Sequence, residues 1–535
     1  PSSGAVAVDA TAVRKFALVG VPLAEGEVYA VTLRIRSAKP GRALLKVGQH
    51  GKPYGSQGML RALTTGPDWQ EVCVRTAARA TDADNRVQVE FKTRGAYEIA
   101  GLSLVCGGVL ELGADETLEA ATVVPSAEGS VARARDVSEF VFDVEDRYWK
   151  EMVRYVKDEM KARAPVNAGT FDYGAGYAQA HGDFIDNHFY YEGLAVWPGR
   201  AWDPRDWHCA NKSLVVGLDT KTVKGFASRV FGKPFTLSEA NQMHQMATAA
   251  DFFPILLSVA AFQDYAAVHA YTWTHAQNHA YGATMFFDLH GNAKSLAHWP
   301  AARNMFVRGD VKGGFAEPAR IVYDVGRAEE RAALHRTGFA RETHVFDEDP
   351  LAALKAATGL RYVDLPRGEG VPDGAAAPRV RPDPPARKAV SSTGELAWDA
   401  TTPGRERYTV DTPRTKFASL FGPAGTTHRF RDGTVFTLDD TLMGWAALSY
   451  TETKTDEWLL AATGYQQPTG AVLQVYGEKT PLAPADGVKA LGKRITTCSA
   501  MGRLPFLCEG VRATVRVPAP KGGGAWCAVV TPLDG

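Results

Sequence analysis

The sequence predicts a multidomain α/β and all-β protein in which a (β/α)8-barrel portion is flanked by two β-sandwich domains. Two changes of hydrophobic period carry that prediction. Up to about residue 110, apolar and polar side chains alternate with the period of two that marks half-buried strands. After about residue 135 the period becomes helical, and short apolar runs then alternate with helical stretches, the pattern of a parallel sheet with outer helices. Past a proline-rich stretch at 366–388 the period of two returns. Glycine and proline, 52 and 30 of 535 residues, favour turn-rich β domains over helical bundles.

Taken in order, the first domain is expected at 1–113. Tyr29, Val31, Leu33 and Ile35 fall on one face with Ala30, Thr32 and Arg34 on the other, and Val87, Val89 and Phe91 repeat the pattern. The turns Lys39-Pro40-Gly41 and Thr65-Gly66-Pro67-Asp68 suit an antiparallel sandwich. The second domain, 114–330, opens on a helix: Val141, Val144, Tyr148, Met152, Tyr155, Val156 and Met160 recur at helical spacing, and Asp136 with Glu139 resembles a capping box. Strands follow at 165–170, 184–188, 234–239 and 268–273, with a helix near 252–263. Residues 331–390, with six prolines between Pro366 and Lys388, read as linker and surface wrap. Alternating runs at 407–410, 446–450, 458–462, 472–476, 511–517 and 526–531 give a second β-sandwich over 391–535.

Charge narrows the partners. Sixty Lys and Arg balance sixty Asp and Glu, so no bulk field draws nucleic acid or an anionic membrane, and neither is expected as a partner. No run of about 18 apolar residues spans a bilayer. The Pro-Ser-Ser-Gly start carries no signal segment, and the expected location is secreted or periplasmic with the signal already removed. Cys73, Cys106, Cys209, Cys498, Cys508 and Cys527 are scattered without a C-x-x-C pair; Cys73 with Cys106, or Cys498 with Cys508, could pair in an oxidising compartment, and buried thiols are the other reading. His244, His275 and His279 match no compact ligand spacing, so no metal is expected, and the absence of P-loop, G-x-G-x-x-G, G-x-S-x-G and H-E-x-x-H patterns leaves no cofactor to expect.

In parallel α/β folds chemistry gathers at the carboxyl ends of strands. Four such ends are polar or aromatic: Asn167 to Thr170, Asp186 to Tyr191, Ser238 to Asn241, and Tyr271 to His275. Glu239 closes the apolar strand of Pro234, Phe235 and Leu237. A carboxylate there could act as nucleophile or general base, and equally could cap the next helix. Tyr190, Tyr191, Trp197, Trp202, Trp207 and Trp273 offer rings suited to sugar faces; sugar contact is expected of Trp202 and Trp273, packing of Trp197 and Trp207.

The run from Gly232 to Asn241, the helix containing Ala260-Ala261-Phe262-Gln263-Asp264-Tyr265, and the strand to Trp273 resemble the seventh and eighth strands of clan A glycoside hydrolases, which are retaining TIM-barrel enzymes. Asp186-Asn187-His188-Phe189-Tyr190-Tyr191 looks like strand six of that clan, and 197–207, with Asn211 and Lys212 after it, like the loop that follows. The resemblance covers about residues 136–315. It implies that Glu239 is the catalytic nucleophile, that Trp273 floors the sugar site, and that His188 and Tyr190 orient the nucleophile or contact sugar hydroxyls. Trp202, Asn241, His244, Tyr271 and His275 join them as expected substrate contacts. The first sandwich is similar to carbohydrate-binding modules.

The clan places its general acid in an Asn-Glu pair at the end of strand four, and no Asn-Glu dipeptide occurs in the chain. Only four of eight barrel strands are legible. The expected function is therefore retaining hydrolysis of a poly- or oligosaccharide, with the acid supplied from a segment outside this chain, such as a second polypeptide carrying the N-terminal half of the barrel. The alternative is a non-catalytic glycan-binding or scaffold protein with a degenerate barrel, in which Glu239 is buried in a salt bridge.

Overall fold

The computed structural model describes residues 5–52, 54–107, 117, 119–123, 131–170, 176–191, 208–218, 229–243, 245–275, 287–316, 320–326, 351–365, 373–374, 386–476, 478, 480–482, 484–500 and 502–519. The first eight strands are β1 (Ala5–Asp9), β2 (Lys15–Leu23), β3 (Val28–Ser37), β4 (Gly41–Gln49), β5 (Ser56–Thr65), β6 (Gln70–Ala77), β7 (Asp82–Phe91) and β8 (Ala96–Cys106). They pair antiparallel into two sheets, β1-β8-β3-β6 and β2-β7-β4-β5. The alternation dictates this sandwich: Val31, Leu33 and Ile35 of β3 and Val87, Val89 and Phe91 of β7 point into one shared core, while their neighbours along each strand face away.

Helix α1 (Val131–Arg154) leads into β9 (Asn167–Thr170), β10 (Phe184–Tyr191), β11 (His208–Ala210), β12 (Phe235–Gln242), helix α2 (Phe252–Phe262) and β13 (Ala267–Ala270). Strands β13-β12-β10-β9, in that order, form one parallel sheet, so the four strands expected here are present and side by side. The expected (β/α)8-barrel portion is thus an open four-stranded sheet. Among the described residues nothing pairs with the outer edges of β9 and β13, so no ring closes.

Two expectations for α1 change. Asp136 and Glu139 lie inside the helix, past its first turn, because the helix begins at Val131. The face that packs inward carries Phe142, Asp146, Trp149, Val153 and Val156, whereas the stripe of Val141, Val144, Tyr148, Met152 and Tyr155 is exposed. Helix α2 is apolar all round and buried except at Ala261, because it is covered on both sides. Phe252 stacks on Phe189 of the parallel sheet, and Ser258 bonds Tyr408 in the C-terminal region.

After helix α3 (Trp299–Phe306), β14 (Arg320–Val325) pairs in parallel with β15 (Ala357–Tyr362), and Val230 bridges to Leu360. Residues 331–390 are therefore not all linker: the buried run around Leu360 makes a strand, while most of the proline-rich stretch lies outside the described residues.

The C-terminal strands are β16 (Lys388–Val390), β17 (Leu396–Asp399), β18 (Arg407–Asp411), β19 (Thr415–Phe421), β20 (Thr426–Arg429), β21 (Val435–Asp440), β22 (Trp445–Lys454), β23 (Glu457–Thr463), β24 (Gln466–Thr469), β25 (Val472–Val475), β26 (Arg494–Ala500), β27 (Arg503–Cys508) and β28 (Arg512–Arg516). Six of them form the sheet β16-β17-β18-β19-β22-β23, which encloses a small core with β20-β21-β28 through Leu420, Phe430, Phe436 and Leu448. Two further sheets, β11-β26-β25 and β24-β27, depart from a plain sandwich, and the run at 526–531 lies outside the described residues.

The other face of the six-stranded sheet joins the core of the parallel sheet through Trp398, Tyr408, Phe417 and Trp445, so β19 is buried along its whole length. Polar groups lock this junction. Trp398 Nε1 donates to the Val215 carbonyl (2.7 Å). His298 bonds the Ser449 and Thr463 hydroxyls, each at 2.8 Å, and burial pulls its pKa down to about 4. Asp251 accepts from Ser419 (3.0 Å) and Ser213 (3.3 Å), with Oδ1 buried and unpartnered, and burial raises its pKa to about 7. No helix among the described residues is long and apolar enough to cross a membrane.

Candidate functional site

The site is built on an irregularity of β12. Ile185, Asp186 and Asn187 of β10 lie opposite Phe235, Thr236 and Leu237, but His188 lies opposite Glu239, so Ser238 is an extra residue. This bulge shifts the strand's alternation by one: Phe235 and Leu237 are buried before it, and Ala240 is buried after it. Ser238 and Glu239 are left at the sheet's carboxyl edge, facing the side chains of β10.

Glu239 Oε2 accepts a hydrogen bond from the Tyr190 hydroxyl at 2.7 Å and lies 3.5 Å from His188 Nδ1. Its side chain is 35% exposed and has no Lys or Arg partner among the described residues, so it is not the buried salt bridge of a purely structural carboxylate. Among the described residues it takes no bond from a helix N-terminus, so nothing there supports the capping reading. His188 Nε2 lies 3.1 Å from Ser238 Oγ. Behind these groups sits Asp186, 4% exposed, whose Oδ1 accepts from Thr236 Oγ1 (2.5 Å) and the Ser238 amide (2.9 Å) and whose Oδ2 accepts from Ser238 Oγ (2.5 Å).

The next wall is the segment after β13. Tyr271 and Trp273 lie beyond the strand end at Ala270, and the peptide between Tyr271 and Thr272 is cis. The segment is tied down by the Thr272 amide to the Phe287 carbonyl (3.1 Å) and the His290 amide to the Trp273 carbonyl (2.9 Å). Trp273 is 52% exposed, with His290 5.6 Å from its ring, and the Tyr190 ring meets those of Tyr271 and Phe287 at 6.4 and 5.0 Å. His275 Nδ1 bonds the buried Asp288 carboxylate at 2.6 Å.

Asn241 does not present its amide to a ligand. Nδ2 donates to the carbonyls of Tyr271 (2.6 Å) and Phe287 (2.8 Å), and Oδ1 accepts from the Gln242 amide (2.7 Å), so the group is spent on framework. The structure thus brings together Glu239, His188, Tyr190 and Tyr271 and sets Trp273 and His275 on the adjoining segment. Trp202 and His244, expected contacts, lie outside the described residues, as do Trp197, Trp207 and His279.

Asp186 and Ser238 entered the sequence reading only as members of strand ends, and neither they nor Asp288 were assigned a role. Asp186 opens the polar end of its strand, and a carboxylate buried there survives only if several donors meet it. Among the described residues no group of three or more His, Cys, Asp and Glu is placed to hold a metal. Cys73 and Cys106 carry free thiols, so the first cysteine pairing is not formed.

No model of a known protein family matches the sequence, and no curated protein matches it. Solved structures similar to parts of the chain include the N-terminal cellulose-binding domain of Cellulomonas fimi β-1,4-glucanase C, 21% identical over 20% of this chain and 82% of that one, with a TM-score of 0.18. The second N-terminal cellulose-binding domain of the same enzyme is 19% identical over 20% and 79%, also with a TM-score of 0.18. A CBM4 structure is 14% identical over 17% of this chain, which spans only 61% of it, with a TM-score of 0.17. At such TM-scores these likenesses decide neither the fold nor the function of the whole chain.

Proposed function

We propose that this chain is a carbohydrate-binding protein whose glycan lies along the carboxyl edge of the parallel sheet, with Trp273 as its platform and Glu239 as its central polar contact. The observation that supports this most is the pairing of a one-third-exposed carboxylate, held by Tyr190 and His188 instead of by a cation, with a half-exposed tryptophan on the adjoining segment. Rings bind the C–H faces of sugars while the polar group takes hydroxyls, a combination that suits a neutral glycan and needs no net charge. Such a ligand is met outside the cytoplasm, in a secreted or periplasmic setting.

Calorimetric titration with a panel of neutral oligosaccharides tests the reading. Trp273→Ala is expected to weaken binding by about tenfold, roughly 1.4 kcal/mol, and Glu239→Gln to weaken it while leaving the fold intact. Unchanged affinity in both variants, or no glycan bound by the parent chain, overturns it.

A finer version adds chemistry. Retaining hydrolysis needs two carboxyl groups about 5–5.5 Å apart, one of them an acid, and the Asn-Glu pair that carries that acid in the resembled clan does not occur in the chain. Glu239 would therefore attack the anomeric carbon only when a donor from outside this chain, such as a second polypeptide, protonates the leaving oxygen. Hydrolysis that appears on adding that polypeptide and vanishes in Glu239→Gln supports this version.

A further inference from the structure

We propose that helix α1 pairs with α1 of a second copy of this chain, antiparallel about a two-fold axis at Tyr148. The inward face of α1 is satisfied within the chain: Phe142 meets the Tyr177 ring and Asp146 bonds His181. The outward face carries Val141, Val144, Tyr148, Met152 and, at the start of the following turn, Tyr155, each between 36% and 53% exposed. The row runs about 21 Å along the helix. An unbroken apolar row of that length on a single chain marks an interaction surface.

Two features of the row name its occupant. Its steps are three, four, four and three residues, so it reads the same from either end. Turning one copy end over end about Tyr148 sets Val141 against Tyr155, Val144 against Met152 and Tyr148 against its own counterpart, the self-matching that an isologous contact requires. The charges have the opposite symmetry: residues 136–146 hold five acids and no base, and residues 147–157 hold four bases and one acid. Antiparallel pairing lays the acidic half of each copy along the basic half of the other, whereas parallel pairing sets like charge on like. Asp143 and Arg154 lie on one flank of the row, and reversal about Tyr148 brings Asp143 of one copy beside Arg154 of the other. Arg154 pairs within the chain with the exposed Glu159 at 2.9 Å, a surface contact that costs little to exchange. An anionic membrane, another surface that takes an apolar helix face, is repelled by the acidic half. One helix pair buries less than a standard interface, so the dimer is expected at roughly micromolar affinity.

Sedimentation velocity on the full chain, from submicromolar to several hundred micromolar, should show a monomer passing into a dimer as concentration rises. Tyr148→Glu sets two carboxylates face to face on the axis and should weaken association roughly a hundredfold. Val144→Ser with Tyr148→Ser should remove the dimer, while a urea melt at submicromolar chain, where the parent too is monomeric, finds the fold intact; this separates lost pairing from lost folding. Asp143→Lys and Arg154→Glu should each weaken association several-fold, and the two together should restore it, because the reversed charges meet again only across an antiparallel pair. A chain that stays monomeric throughout, a dimer that Tyr148→Glu leaves intact, or charge reversals that do not restore each other overturn the inference.

Discussion

At the edge of the parallel sheet one amide decides where two chain segments sit. Asn241 spends both hydrogens on the carbonyls of Tyr271 and Phe287, at 1% exposure, and so suspends the wall that carries Trp273. Asn241→Asp keeps the shape and removes the donors, leaving the Tyr271 and Phe287 carbonyls facing a carboxylate. We expect a loss of roughly 2–4 kcal/mol in urea unfolding, where a residue that merely touched ligand would lose almost none. Glu239 stood out in the sequence as a carboxylate closing an apolar strand, a pattern that fits a helix cap equally, and its contacts to Tyr190 and His188 come from a strand about 50 residues earlier. Asn241 and His275 were legible only as members of that strand end, since whether an amide faces a ligand or a neighbouring carbonyl depends on segments far away in the chain. Asp186 was hidden for the same reason: its three donors come from β12, 50 to 52 residues later.

At the scale of the element, α1 shows what periodicity can and cannot say. The helical spacing of Val144, Tyr148 and Met152 correctly announced a helix, but that stripe faces outward, and a second stripe of Phe142, Trp149 and Val153 packs inward. A helix with two apolar stripes does not reveal from its own sequence which one meets the sheet. The inward choice follows from partners elsewhere: Phe142 meets the ring of Tyr177, Asp146 pairs with His181 at 2.6 Å, and Trp149 lies against Gly169, where a Cβ would come within 3.2 Å of its ring and φ is +106°. Two substitutions separate the faces in a thermal or urea melt. Phe142→Ala should cost about 3–5 kcal/mol. Val144→Ser and Tyr148→Ser together should stay within about 1 kcal/mol. The bulge in β12 is a further feature no period could show, because Leu237 and Ala240 are both buried and break the alternation that would place Glu239.

For the whole molecule, the junction between the parallel sheet and the six-stranded sheet governs how stability responds to pH. Asp251 has a folded pKa of about 7, above its ordinary 3.8, so its contribution is fully present below about pH 4 and is lost as pH rises towards 7. His298 is the reverse: with a folded pKa of about 4, below the ordinary 6.5, its contribution is present above pH 6.5 and is lost as pH falls towards 4. Between about pH 4 and 6.5 the two offset each other. Asp251→Asn removes one side, so unfolding free energy should rise by up to roughly 4 kcal/mol at pH 8, change little at pH 4, and fall more steeply with acid in between. The broad arrangement of the chain, sheets at both ends and parallel strands between, was visible from period changes alone. The sharing of one core between the middle and the C-terminal sheet was not, because Trp398, Tyr408 and Phe417 read like the interior of an independent sandwich.

The three-residue strand β11 lies between the two site strands in the chain, yet it pairs with β26, and His208 meets Arg494 across 286 residues of sequence. The molecule is therefore clasped. A single protease nick between β15 and β16 should yield two fragments that still run as one particle in gel filtration and part only in denaturant, and neither half should refold by itself. Modules of this protein cannot be exchanged by cutting and rejoining the chain at the proline-rich stretch, because the catch that holds the front half shut is made by the back half.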